Sequence, residues 1–415
     1  MSKFLIYIIN IVILLGAGYW YYQRYKNGIL SKHFWPALVY KVCCGILLGL
    51  LFHTFYEGGD TIRFYEDAER LSKLGFPQFY EAITRDLDDS WQVRAIYFVR
   101  MVAVLKLVTQ ADYWLLSAYF SMFSFFGSFY LVDKLVLWKS YLKTPALLSF
   151  LYFPSIMFWS SGLLKESLVF GALTFLLGVY LSWLSQRKFH FGHFTIGILS
   201  LIIIVIFKYY IAAVLLPLLV YLIGFHLPIW KKWEISGFWK KSSIIFASLS
   251  VPVFLFFSWL SPNLTYGKIW QVMQENHEAF MKLAPEGAVY TFNWFGNGLD
   301  VLVNVPYLWF SGLFRPVIGE VLTFPAVLSS LENFLLLAGM TLAGYTLVKH
   351  KIKWTPELLA ILIYVSALSV FLTYSAPNFG TLARFKIYYV PLLLMLIVPK
   401  CTLFTFLERI NSTFL

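Results

Sequence analysis

Charge is scarce in this 415-residue chain, with Asp, Glu, Lys and Arg together at 13%. Soluble globular domains carry about 25%, so this composition excludes an ordinary water-facing surface. Acidic residues are the rarer sign, 21 against 33 Lys and Arg. Cysteine is nearly absent, which excludes a disulfide framework. The three present, Cys43, Cys44 and Cys401, lie in apolar runs without metal-ligand spacing and read as small packing residues. The seven histidines form no HExxH or similar pattern, so no metal centre is expected from them. No Walker-type glycine loop, GxSxG elbow or Ser–Lys pairing at a suitable depth is visible, and neither is an internal repeat.

Hydrophobicity dominates instead. Apolar residues make up 60% of the chain and aromatic residues 20%, with a mean hydropathy of +0.71. They come in long blocks, such as 11–22, 113–132 and 195–207, with charge confined between them. This is the pattern of an all-α polytopic membrane protein. Eleven spans are expected, at 4–22, 36–55, 113–133, 144–160, 163–184, 194–208, 210–228, 242–259, 328–348, 356–374 and 385–403. Two further apolar stretches, 95–109 and 299–318, contain Arg100 and Lys106, or Pro306, Arg315 and Pro316. Counting either as a span would place later lysine clusters outside, against the positive-inside rule, so both are expected to lie along or dip into the outer interface.

The N-terminus is expected outside and the C-terminus in the cytoplasm. The first segment is taken as a retained helix and not a signal peptide, because Arg24, Lys26, Lys32 and Lys41 follow it at once. The net charge of +12 is then a topology signal, and no nucleic-acid partner is needed to explain it. The organisation expected is an extra helix and basic loop over 1–35, a transmembrane domain over 36–403 with outer loops at 56–112 and 260–324, and a cytoplasmic tail at 404–415.

The first outer loop opens with Glu57-Gly58-Gly59-Asp60 and continues as a short helix to Leu74, with Ile62, Ala68, Leu71 and Leu74 on one face. The acidic stretch 85–89 and an amphipathic helix from Trp91 to Val108 follow. A cation kept on the outer side works against the insertion bias and calls for a local reason. Four outer helix ends carry one: Lys165 beside Glu166, Lys208 between aromatics, Arg315 five residues before Glu320, and Arg384 after Asn378. Each singly also suits a snorkelling side chain or a helix-end charge. Together they suit a phosphate or pyrophosphate, with arginine as a bidentate partner and lysine as a point charge. The carboxylate counterpart is Asp60, with Glu57 and Glu66 as substitutes, in the role of a base that takes the proton of an acceptor hydroxyl.

A span ending in an acid, a long outer loop with two interfacial helices and many later spans resemble the GT-C superfamily of polyprenyl-phosphate-dependent glycosyltransferases, over about residues 36 to 403. The segments 153–166 (FPSIMFWSSGLLKE) and 378–385 (NFGTLARF) look like segments of bacterial membrane proteins related to exopolysaccharide and O-antigen polymerases. The resemblance implies a bacterial inner-membrane transferase or polymerase. It would use an undecaprenyl-(pyro)phosphate-linked sugar donor and a glycan acceptor, with no organic cofactor and a divalent metal left open. Asp60 matches the loop acid of that superfamily and the outer cations match its phosphate ligands. The alternatives are a flippase for lipid-linked oligosaccharide and a non-catalytic subunit of a surface-polysaccharide or secretion assembly.

Overall fold

The structure is a computed structural model that describes residues 2–84, 93–186, 191–228, 237–260, 266–283, 289–290, 298–349 and 353–400. The acidic stretch 85–89, Cys401 and the 404–415 tail lie outside the described residues. Among the described residues every regular element is helical, apart from one isolated antiparallel bridge between Val289 and Asn378. Among the described residues eight helices are long and apolar enough to cross a membrane, or nine if one bent pair counts as a span. The protein is therefore a multi-pass helical membrane protein.

The chain forms two compact units, Met1–Tyr209 and Tyr210–Leu415. The first contains α1 (Lys3–Gln23), α2 (Ser31–Leu50), α3 (Asp60–Ser72), α4 (Phe76–Thr84), α5 (Val93–Thr109), α6 (Tyr113–Trp138), α7 (Lys143–Leu147), α8 (Pro154–Trp159) and α9 (Lys165–Gln186). Next comes α10 (Phe191–His226), whose backbone leaves helical geometry at Lys208, φ −146° and ψ 58°. A straight 36-residue helix would be about 54 Å long, far beyond a hydrocarbon core of about 30 Å. The break therefore falls where the sequence separates 194–208 from 210–228.

Helices α6 and α9 form the centre of the first unit. Water drives no association between apolar faces in lipid, so close backbone approach between small residues has to do it. Gly127 of α6 lies against Gly171 of α9, and Gly178 against Tyr130. Ser117, Ser121, Ser124 and Ser128 recur at helical spacing on α6 and are all buried. Among the described residues helix α1 is attached by three polar side chains: the Tyr7 hydroxyl donates to Asp112, the Tyr21 hydroxyl donates to the Phe126 carbonyl at 2.9 Å, and Asn10 bonds in both directions. Asn10, 1% exposed, donates to the Thr109 carbonyl at 3.0 Å and accepts from the Tyr119 hydroxyl at 2.8 Å. Elsewhere on α1, Phe4, Val12, Leu15, Tyr19 and Trp20 are exposed, as on a lipid-facing helix.

Three expectations need correction. The stretch 144–160 is not one helix. It runs through α7, a wide turn at 148–152 and α8, because Phe153 is extended (φ −69°, ψ 121°) ahead of Pro154. The last span, 385–403, is bent by 63° between Phe379–Tyr388 and Val390–Ile397, next to Pro391, which has no backbone N–H to give to the preceding turn. Helix α5 is not amphipathic. Ala95, Phe98, Val99 and Val102 are buried while Val104, Leu107 and Val108 are exposed, so apolar residues occupy both faces and α5 packs against α3.

The second unit contains α11 (Phe238–Ile245), α12 (Val251–Leu260), α13 (Tyr266–Leu283), α14 (Gly298–Phe314), α15 (Phe324–Lys349), α16 (Pro356–Ser375), α17 (Phe379–Phe385) and α18 (Val390–Ile397). Helix α14 falls short of span length, as expected for 299–318, and packs along α16. The Trp309 indole N–H there donates to Ser366 at 3.1 Å, and the Tyr389 hydroxyl donates to the Gly312 carbonyl at 2.6 Å.

Candidate functional site

The break between α8 and α9 is the organising feature of the first unit. Ser160, Ser161, Leu163 and Leu164 are completely buried, so every polar group of this turn must find a partner inside the protein. Gly162 turns the chain at φ +75°, a conformation that favours glycine, and its N–H donates to Ser121 of α6 at 2.9 Å. The Ser167 hydroxyl donates back to the carbonyls of Gly162 at 2.8 Å and Leu164 at 2.7 Å. The Thr61 hydroxyl, in the first turn of α3, donates to the Leu163 carbonyl at 2.9 Å and lies 3.0 Å from the Tyr113 hydroxyl.

That bond fixes the acid-led helix to the turn. Gly58 and Gly59 take positive φ, as does Glu57 at +49°, and Asp60 is the first helical residue, where the macrodipole favours a carboxylate. Thr61, Phe64 and Ala68 form the buried face of α3; of the expected face Ile62, Ala68, Leu71 and Leu74, only Ala68 belongs to it. Asp60 flanks that face and is partly buried, whereas Glu66 is exposed on the far side of the helix and Glu57 is exposed before it. Of the three acids considered, only Asp60 is directed by the anchor at Thr61.

Lys165 follows the turn, with its ammonium 4.9 Å from the Phe64 ring centre of α3, within the range of a cation–π contact. Its neighbour Glu166, 1% exposed, faces Lys208, 8% exposed, with Nζ and Oε1 3.1 Å apart. The first unit thus gathers Asp60, Lys165, Glu166 and Lys208 around one buried turn. Within it Lys208 is engaged by a carboxylate, while Lys165 is partly exposed.

Arg315 and Arg384 belong to the second unit. The Arg315 guanidinium bonds Glu320 through Nε at 2.7 Å and through Nη2, and it also bonds the Tyr307 hydroxyl. The rings of Tyr290 and Phe379 stand 5.2 and 5.1 Å from it. Burial opposes its charge, but Glu320 and Tyr307 outweigh that cost and raise its pKa. Glu320 also accepts from the Val317 N–H at 2.9 Å, so Arg315 and Glu320 together hold the chain bend after α14. Asn378 caps α17 by accepting from the Thr381 N–H at 3.0 Å. Arg384, in the last turn of α17, is partly exposed beside the Phe385 ring.

Two lysines outside the expected set are buried. Lys41 was expected in the basic segment after the first span, yet it sits inside α2 with no exposure and donates to Ser160. This is a Ser–Lys pairing that the sequence concealed, because the partners are far apart in the chain. The Ser160 hydroxyl in turn donates a hydrogen bond to the Ile156 carbonyl, and the pair closes the turn. In the second unit Lys386 donates to the carbonyls of Leu313 and Arg315, both at 2.9 Å, and to Asn333 at 2.7 Å. A charged residue inside a long apolar run was the available signal in both cases.

Among the described residues no group of three or more His, Cys, Asp or Glu is placed to hold a metal ion. No family model, curated protein or solved structure matches the chain.

Proposed function

We propose that the protein is a membrane glycosyltransferase or polysaccharide polymerase. It takes sugar from an undecaprenyl-(pyro)phosphate-linked donor and transfers it to an acceptor hydroxyl at the outer face of a bacterial inner membrane. One observation supports this reading above the others: Thr61 fixes the Asp60 end of α3 to the turn that leads directly into Lys165. A carboxylate and a cation on two separate segments are thereby held in one region of a single unit.

In this reading Asp60 accepts the proton of the acceptor hydroxyl as its oxygen attacks the anomeric carbon. The bond from that carbon to the phosphate oxygen breaks, and Lys165 balances the charge that develops on the leaving phosphate. Lys208, Arg315 and their carboxylate partners hold the fold in this scheme. A buried, hydrogen-bonded turn is a rigid base from which to present the two groups.

The test uses a host deleted for the gene and complemented with wild type, Asp60→Asn, Lys165→Gln or Glu66→Gln at matched protein levels. Surface glycan and lipid-linked precursors are read by gel and mass spectrometry. Loss of glycan in the first two variants with precursor accumulating on the outer leaflet, and normal glycan in Glu66→Gln, is the expected result. Precursor retained on the inner leaflet identifies a flippase instead, and unchanged glycan in Asp60→Asn overturns the assignment.

A further inference from the structure

A second feature, confined to the second unit and independent of the transferase reading, lies where α10, α11 and α16 meet. It is a cavity of about 260 Å³. Trp239 and Ser243 of α11 and Phe246 just beyond it line one wall, Leu359 and Ile363 of α16 the other, and Tyr221 of α10 forms the floor. The Tyr221 hydroxyl donates to Ser242 at 3.0 Å, so the polar group at the floor is already satisfied, and Ser243 adds one hydroxyl to an otherwise apolar lining. Trp239, Ser242, Ser243 and Phe246 follow the i, i+3, i+4, i+7 spacing of one helix face.

The volume is below the roughly 300–1,000 Å³ of a site that encloses a whole small molecule, so the cavity accommodates only part of its occupant. Trp239, Phe246 and Ile363 are exposed, so the cavity opens sideways, in the direction from which lipid approaches a spanning helix. Aromatic rings and two lysines lie close to it along the chain. The Trp239 ring meets the Trp354 ring at 4.9 Å, and each tryptophan has an exposed lysine next to it in sequence, Lys240 and Lys353. Nearby, the only described carboxylate in the first turn of α16, Glu357, is occupied by His226 at 2.7 Å. Paired tryptophans mark the headgroup level of a bilayer, and basic rims between spanning helices are suited to anionic headgroups.

We infer that this cavity holds part of one acyl chain of an anionic phospholipid, with the lipid phosphate against Lys240 and Lys353. The apolar walls select a hydrocarbon chain and the two lysines select a negative headgroup. By the positive-inside rule the lipid comes from the inner leaflet.

The experiment reconstitutes the full-length protein in phosphatidylcholine vesicles that contain a trace of either phosphatidylglycerol or phosphatidylcholine with a diazirine at the end of one acyl chain. After illumination, adducts are mapped by mass spectrometry. The phosphatidylglycerol probe is expected to label the 239–246 and 359–363 segments, and the phosphatidylcholine probe to label them weakly. Each lysine near an anionic lipid contributes about fivefold, so Lys240→Gln with Lys353→Gln is expected to lower labelling by well over tenfold. Ser243→Trp, which fills the cavity, is expected to abolish it with both lysines in place. Equal labelling by the two probes, or phosphatidylglycerol labelling that survives the double lysine replacement, overturns the inference. Because that double replacement is confined to exposed residues, the test stands even where Ser243→Trp fails to fold.

Discussion

Replacing Lys208 by methionine removes one partner of an ion pair in which Glu166 is 1% and Lys208 8% exposed, with a separation of 3.1 Å. Breaking a buried pair from one side costs about 3–5 kcal/mol, whereas exchanging both partners for neutral residues of similar size costs little or even stabilises. Lys208→Met should therefore lower the folding equilibrium by about a hundredfold to several thousandfold, and Glu166→Gln with Lys208→Met should recover most of that loss. The assay is equilibrium unfolding in mixed micelles as detergent denaturant is raised, followed by circular dichroism on wild type, both single variants and the double variant as one cycle. A loss under about 1 kcal/mol in Lys208→Met, or a double variant as unstable as the sum of the singles, refutes the argument. The same variants separate structure from chemistry. A stable double variant with normal glycan assigns Lys208 to the fold, and a stable double variant without glycan makes Lys208 a ligand of the donor phosphate.

Two further outcomes are expected. A Cβ on Gly127 would meet the Gly171 carbonyl and would come within 2.6 Å of Thr174 Oγ1, so Gly127→Ala should destabilise by about 1–3 kcal/mol in the same unfolding assay, while Gly16→Ala, with nothing within 4 Å, should not. His277 of α13 has its pKa lowered from 6.5 by burial, only partly offset by its 3.0 Å bond to the Tyr374 carbonyl and by Glu278. Its contribution to stability is therefore complete above pH 6.5 and is lost as pH falls from there toward the lower folded-state value. Hydrogen exchange of α13 should quicken over that range in wild type and lose that dependence in His277→Asn.

The long apolar runs made most spans legible, and the acid-led helix after Gly58-Gly59 was legible from its glycines and its charge. The break at Lys208 was readable too, since a lysine between aromatics interrupts two hydrophobic blocks. What could not be read was partnership. Lys41 and Ser160, or Lys386 and Asn333, are separated by too much chain for any local pattern to connect them, so a buried lysine was indistinguishable from a basic residue at the membrane edge. Helix α5 misled for a related reason. Arg100 and Lys106 implied a wet face, but Lys106 reaches the Tyr65 hydroxyl at 2.9 Å, and the side expected to meet water meets α3. Likewise, the spacing of Arg315 and Glu320 alone does not reveal that the two are bonded, which only the fold shows.

The turn at 160–164 also bears on the order in which the protein can be made. Lys41, Thr61 and Ser121, which hold it, all precede it in the chain, so each is already synthesised when the turn leaves the ribosome. Ser167 follows within three residues, and Lys208 arrives much later. The first unit is thus able to close during insertion, before the residues beyond 209 exist, with the lysine to Glu166 contact as its final stitch. A truncated chain released at Tyr209 should already protect the turn from labelling, while one released before Lys208 should lack the last contact.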